Sequence, residues 1–394
     1  MTEPILIMES ESRIVAAVVP PHSISIGTLI RYLWYGTTSS VSFVFGLVSL
    51  TIGLAVVATI PVLQLATLGY LLECSARVAR SGRLRDGLPG VWLAGRFGGA
   101  ILGTWVALLP LRFVSDLRYS AQLLDASESV SRRWNVAFWM LAALILGHIA
   151  WALFRGARLR HFIWPAPVAL VHRLRRRRMY AEARDRTYDV ICRLQIPHLL
   201  TLGLKGFLVA MIWLWLPISL MVIGGRLGGS GGGGVTVIGA LLLGMVLLYL
   251  PMLQVNMAVS NRWRSGLDLQ GVRAQFRRAP IAFWFALLVT LALALPLYVL
   301  KAELIPREAA WLPSLVFVIS IIPARILTGW AMGRARVRNL PRHAIFRWFS
   351  RFAALPIVLI YVLIVYFTQY ISWYGAWSLY EQHAFLLPVP FLGL

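Results

Sequence analysis

Arg173-Leu174-Arg175-Arg176-Arg177-Arg178 is the stretch from which the rest of this chain can be read. It lies in a connector, residues 155–200, between long apolar runs. Arginines packed this densely pass poorly through a bilayer, so they mark one side as cytoplasmic. With that side fixed, the other loops follow by parity. The chain then reads as an all-α polytopic transmembrane helical bundle.

The bulk composition agrees. Hydrophobic residues make up 59% of the 394 positions and charged residues only 13%. Soluble domains carry about 25% charged residues, so most of this surface is suited to lipid. The net charge is +23, and since Lys205 and Lys301 are the only lysines, nearly all of it is arginine. That pattern fits a GC-rich bacterial genome. In a soluble protein such charge would point to nucleic acid. Here it is the ordinary excess of cytoplasmic loops, and nucleic acid is not an expected partner. Cys74 and Cys192 both fall on the cytoplasmic side, so no structural disulfide is expected. No charged start followed by an apolar core and a small-residue cleavage site is found, so no signal peptide is expected.

A helix needs about 20 apolar residues to cross roughly 30 Å of hydrocarbon. Eight spans are predicted near 41–62, 95–111, 134–154, 201–223, 235–256, 281–300, 312–333 and 353–371. The apolar run Val41 to Leu72 is too long for one upright span and too short for two. It reads as one span, bent at Pro61, continuing towards the cytoplasmic interface. The cytoplasmic loops 77–96, 155–200, 257–280 and 334–352 then hold 5, 11, 5 and 6 basic residues. With Lys205, Arg325 and the acidic residues included, the whole +23 falls on that side. Both termini come out on the outer side of a bacterial inner membrane.

The resulting organisation has five parts. Residues 1–40 are an outer tail with an interfacial segment around Ile24 to Tyr35. Residues 41–154 are a first membrane block of three spans, and 155–200 the basic connector. Residues 201–371 are a second block of five spans, and 372–394 an outer aromatic tail. Gly224 to Gly234 reads as a flexible outer linker. Its formal G-x-S-x-G, Gly228 to Gly232, lacks the strand that a nucleophile elbow needs.

The spans suggest repeated helical hairpins. Pro61 to Gln64 is matched by Pro251 to Gln254, and each is followed 28 or 29 residues later by a proline, Pro89 or Pro280. Ile322-Pro323-Ala324-Arg325 with Leu340-Pro341 makes a fainter third copy. Pro61, then Leu68-Gly69-Tyr70-Leu71, then Arg77, Arg80, Arg83 and Arg85, then Leu88-Pro89 resembles a family of uncharacterised bacterial multi-pass membrane proteins. The same residues are similar to the membrane part of some glycerophosphodiester phosphodiesterases, without their catalytic domain. The resemblance covers roughly residues 55–110. It implies a membrane protein and no known activity.

Polar groups inside spans are expensive and are site candidates by default. Arg325 is the sharpest, past the middle of the seventh span. Aligned at their prolines, the hairpins put Gln64, Gln254 and Arg325 at one depth. Glu73, His148, Lys205 and Asn256 lie in or near the same cytoplasmic half. Together these seven would line a vestibule for an anionic group. Snorkelling or packing is the competing explanation for each alone. Gly95, Gly99, Gly103 and Ala107 recur every four residues and form a smooth face for helix packing. Glu182, Asp185 and Asp189 read as an ion-pair ladder with Arg186 and Arg193. His161 and His172 lack partners at metal spacing. No metal, cofactor or catalytic residue is expected, and no enzyme activity.

Three functional classes stay open. One is a transporter-like or lipid-handling protein using the polar cluster. The second is a non-catalytic scaffold whose basic face binds anionic lipid or an acidic partner. The third is an intramembrane enzyme, for which the sequence offers no catalytic pair. Arg173, Arg175, Arg176, Arg177 and Arg178 would contact anionic headgroups, with Trp164 seating the connector on the surface. Expected partners are the bilayer, those headgroups and a small anionic or lipidic substrate. A homo-oligomer is also admitted.

Overall fold

The computed structural model describes residues 26–124, 127–174, 179–299, 311–372, 375–382 and 385–386. The helices are α1 (Ile26–Ala58), α2 (Leu63–Ser81), α3 (Val91–Leu123), α4 (Glu128–Phe154), α5 (Leu159–Ile163), α6 (Pro167–Leu174) and α7 (Met179–Leu194). They continue with α8 (Ile196–Leu227), α9 (Gly229–Ser260), α10 (Leu269–Arg278), α11 (Pro280–Val299), α12 (Trp311–Val337) and α13 (Ala344–Ile371). Eight stretches are long and apolar enough to cross a membrane, from Trp34–Ala58 to Ala344–Ile371, and each expected span falls on one of them. The protein is an all-α polytopic bundle, with no strand among the described residues.

The first expected span is not a bent helix. α1 stops at Ala58, and the chain turns over residues 59–62, with Val62 at φ 69°. Pro61 supplies no amide hydrogen to continue the helix. α2 then runs back along α1. Thr67 Oγ1 donates to the Leu54 carbonyl at 3.4 Å, and Leu50 packs with Tyr70 and Cys74. α1 also runs the same way as α3. Phe43 meets Trp92, and Gly46 meets Val91 and Gly95. One turn further along both helices, Ser49 meets Gly98. α1 therefore starts at the end of the bundle where α2 finishes and α3 begins.

α2 is the post around which the bundle is arranged. Every residue from Thr67 to Ala76 is buried. A helix buried all round belongs to a protein core, and Glu73 and Ser75 would suit lipid poorly. Glu73 takes ion pairs from Arg77 at 2.9 Å and Arg80 at 3.2 Å, with His198 at 3.7 Å. On one side α2 crosses α8 with backbone against backbone. A Cβ added to Gly69 would overlap the Leu199 carbonyl, and one added to Gly203 would overlap the Leu65 carbonyl. On the other side it runs alongside α12. Gly329 lies on the Ser75 backbone, and Gly333 lies against Val78 and Ala79.

The hairpin repeat exists in a different register from the one the prolines suggest. Ser81-Gly82-Arg83-Leu84-Arg85-Asp86-Gly87-Leu88 and Ser260-Asn261-Arg262-Trp263-Arg264-Ser265-Gly266-Leu267 share one backbone path. Each has a left-handed cap residue, Gly82 at φ 72° or Asn261 at φ 54°. An extended arginine follows, Arg83 at φ −108°, ψ 126° or Arg262 at φ −115°, ψ 123°. One 3-10 turn then ends in a buried glycine, Gly87 or Gly266. The serine Oγ accepts the arginine N–H in both, at 3.2 Å and 3.4 Å. This register pairs Ser81 with Ser260, eleven residues away from the pairing of Pro61 with Pro251.

Two outer segments also differ from expectation. The glycine run is helical on both sides of a break at Gly228 (φ 64°, ψ −178°) and Gly229 (φ 61°), between α8 and α9. Its glycines let two helices touch: a Cβ on Gly224 would overlap Thr236, and one on Gly232 would press the Gly224 carbonyl. Residues 375–382 and 385–386 of the expected outer tail pack into the bundle instead. A 3-10 segment, Gly375–Tyr380, sits beside α8, where Tyr380 Oη hydrogen-bonds Ser219 Oγ at 2.8 Å. Leu379, Gln382, Phe385 and Leu386 are buried behind it.

Substituting Gly69 or Gly203 with Val is expected to destabilise the protein by about 3 kcal/mol, because the neighbouring carbonyl cannot move without shifting a helix. Thermal unfolding in detergent measures this. Wild-type stability in both variants would contradict the backbone contact.

Candidate functional site

Of the seven candidate polar residues, the structure brings two together. Arg325 Nη1 donates to Gln254 Oε1 at 2.7 Å, joining α12 to α9. Arg325 is 2% exposed. The Gln254 Nε2 donates onward to the Phe385 carbonyl at 2.9 Å and the Gly206 carbonyl at 3.3 Å. The pair is thus tied to α8 and to the tip of the inserted C-terminal segment. Pro323 and Pro251 stand just ahead of Arg325 and Gln254 inside their helices. Each removes one helical hydrogen bond at this depth.

A second polar layer lies beyond it, towards α11 and α13. Tyr298 Oη and Tyr361 Oη are 2.7 Å apart, and Tyr298 Oη donates to Gln382 Oε1 at 3.4 Å. Gln382 Nε2 donates to the Leu379 carbonyl at 2.9 Å. Sequence reasoning missed Tyr298, Tyr361 and Gln382. Tyr298 lies near a span end, where tyrosines commonly serve as interfacial anchors, Tyr361 lies mid-span with no partner visible in the sequence, and Gln382 lay in what read as a tail.

The other five candidates do not join this centre. Gln64 is buried at the start of α2. Since Ser75 faces Gly329, Arg325 is level with Leu71, seven residues or about 10 Å below Gln64. Alignment at the prolines placed Gln64 wrongly for that reason. Asn256 Nδ2 donates to the Ser265 carbonyl at 2.9 Å and holds the 3-10 turn after α9. Lys205 Nζ donates to the Asn261 carbonyl at 3.0 Å and Oδ1 at 2.9 Å, capping the end of α9. His148 Nε2 bonds the Phe162 carbonyl at 2.7 Å and holds α5 under α4. Glu73 is engaged by its arginines. No shared vestibule forms from these groups.

The glycine face divides between two neighbours. Gly95 approaches Gly46 of α1, Gly99 approaches Ala157 and Leu159, and Gly103 lies against the Phe162 ring. Ala107 packs in the cluster of Ile145, Ile149 and Phe162. In the connector, Arg186 lies 3.9 Å from Glu182 and donates to the Phe154 carbonyl at 2.6 Å. Arg173 falls within α6, while Arg175, Arg176, Arg177 and Arg178 lie outside the described residues. Burial, then Arg155, Arg160 and Arg158, hold the His161 imidazole below its usual range and favour its neutral form. Among the described residues no group of three His, Cys, Asp or Glu side chains is placed to hold a metal.

What the centre offers chemically is a guanidinium and an amide in a dry interior, able to pair with an anion or a carbonyl. No family model, curated protein or solved structure matches the chain.

Gln254→Leu removes a charge-assisted bond from Arg325 and is expected to cost about 2 kcal/mol. Lys205→Met removes only a helix-end contact and is expected to cost about 0.5 kcal/mol. Detergent unfolding of the two variants should rank them in that order, and equal losses would show that the centre has no special weight.

Proposed function

We propose that this integral membrane protein is transporter-like, with Arg325 and Gln254 as the centre that meets a small anionic or lipidic substrate. The observation that carries the reading is the hydrogen bond from Gln254 to the Phe385 carbonyl. An arginine at this depth costs about 2.5–3.5 kcal/mol on insertion scales, and a simple scaffold has no use for it. The C-terminal segment enters between α8, α11 and α13 and presents a carbonyl to the centre, where a substrate would present its own acceptor. In this reading the segment stands in the substrate path. No catalytic step is part of it.

The orientation follows from the arginines. The end bearing the loops after α2, α4, α9 and α12 belongs in the cytoplasm, in a bacterial inner membrane. The α1–α2 turn adds one pass, so this placement puts the start of α1 in the cytoplasm and the C-terminal segment outside. It replaces the reading with both termini outside. The residues ahead of Trp34 have little say in the charge balance, because Arg13 and Arg31 against Glu3, Glu9 and Glu11 leave a net charge of only −1.

A second reading, docking of the connector on anionic headgroups, is favoured by exposed Ile163, Trp164 and Val168 close to the arginine run. One experiment separates the two. Proteoliposomes carrying the chain truncated before Gly375 are expected to release trapped acetate or phosphate faster than those carrying the intact chain. Adding Arg325→Gln to the truncated chain should abolish the gain. If truncation leaves efflux at the intact level, the segment does not block a path, and the docking reading takes its place.

A further inference from the structure

A cavity lies between α9, α10, α11 and α13, and its α9 wall, Leu248 to Met252, begins within one helical turn of Gln254. It has a volume of about 310 Å³, at the small end of ligand sites, which run roughly 300–1,000 Å³. Its apolar wall is aromatic, built from Phe276, Phe283, Trp284 and Trp348. It lies by the end of α10 and the first turns of α11 and α13, at the same end of the bundle as the arginine-bearing loops. In a bilayer that is the level of the headgroups and the first part of the acyl chains.

Three polar groups mark it as more than a packing gap. Ser350 is 1% exposed, lines the cavity, and its Oγ has no hydrogen-bond partner among the described residues. The buried Nε1 of Trp284, also in the wall, has none either. Both are donors, and buried donors left unpaired are costly. Arg351 lies at the rim, its guanidinium stacked 5.6 Å from the Phe276 ring centroid and 5.5 Å from that of Trp348. Such stacking leaves the guanidinium edge free to take oxygen acceptors.

The charge around the cavity is of one sign. α9, α10, α11 and α13 carry no acidic residue, while α10 and α13 carry Arg273, Arg277, Arg278, Arg347 and Arg351. The occupant must therefore have an apolar part for the aromatic wall, several oxygen acceptors for Ser350, Trp284 and Arg351, and a net negative charge. Basic pockets between spanning helices at the membrane surface are the usual seat of anionic lipid headgroups. We propose that this cavity binds one anionic phospholipid from the leaflet at the basic end. One acyl chain lies along the aromatic wall, and the phosphate meets Arg351, Ser350 and Trp284. The site is independent of the transport reading and would stand if that reading fell.

Native mass spectrometry of the delipidated full-length protein tests the proposal. Phosphatidylglycerol and phosphatidylcholine with identical acyl chains are added in turn, and inorganic phosphate is added in a third arm. One phosphatidylglycerol is expected to be retained well beyond the other adducts. Arg351→Gln should weaken its retention roughly fivefold or more, the factor expected for one arginine at an anionic headgroup. Leu355→Trp crowds the cavity from a position that is 53% exposed, so the fold should tolerate it. It should weaken retention without changing charge. Equal retention of the two lipids by the wild type would overturn the proposal. So would an unchanged phosphatidylglycerol adduct in both variants, or its displacement by inorganic phosphate.

Discussion

The backbone contact between α2 and α8 is the constraint on which the rest of this bundle depends. A Cβ on Gly69 would overlap the Leu199 carbonyl of α8, and one on Gly203 would overlap the Leu65 carbonyl of α2. This approach lets a helix with Glu73 in its middle sit inside the protein, away from lipid. Once α2 is there, α12 can run beside it on Gly329 and Gly333, and α1 must fold back along it. Close approach of small residues does here what apolar burial does in water, since lipid offers no hydrophobic drive between helices.

The polar residues sort by what they touch. Asn256, Lys205 and His148 each satisfy a carbonyl at a helix end or in a connection. They fix the loops at the basic end, and two of those loops repeat the same cap, extended arginine and 3-10 turn. Of the seven candidates, Arg325 and Gln254 are the two that meet each other in the interior between helices, and there the chain supplies its own carbonyl at Phe385. The bundle is thus tied at its basic end by side-chain bonds to loop carbonyls. At its opposite end it is filled by a segment held through a few polar contacts and the packing of Leu379, Phe385 and Leu386.

The spans and the weight of Arg325 were legible in the sequence, because both rest on the cost of placing charge and unpaired backbone in hydrocarbon. What differs at Val41 to Leu72 is the expected bent continuation past Pro61, which is instead a turn into the separate helix α2. α2 faces protein and not lipid, and so tolerates a charged second half. In the proposed orientation α2 adds a pass that charge parity does not detect, since the residues ahead of Trp34 carry a net charge of only −1. Gly224 to Gly234 looked like a linker by composition, although its glycines serve helix contact at Thr236 and Leu227. The inward course of residues 375–386 had no local signal. Gln382 and the Phe385 carbonyl acquire their meaning only from Tyr298 and Gln254, which lie far away in the chain.

The account turns on α2 as a buried helix that folds back on α1. It therefore requires that α1 begin on the side of the membrane that bears the connector. Cys192 is exposed on the connector and Cys74 is buried, so the native thiols already supply a reference. A membrane-impermeant maleimide can be applied to right-side-out and inverted vesicles. It should label the Thr38→Cys variant, made in a Cys192→Ser background, only in the vesicles where wild-type Cys192 is labelled. Labelling from the opposite face alone would mean that α1 and α2 form one continuous crossing, and the arrangement described for the bundle would be wrong.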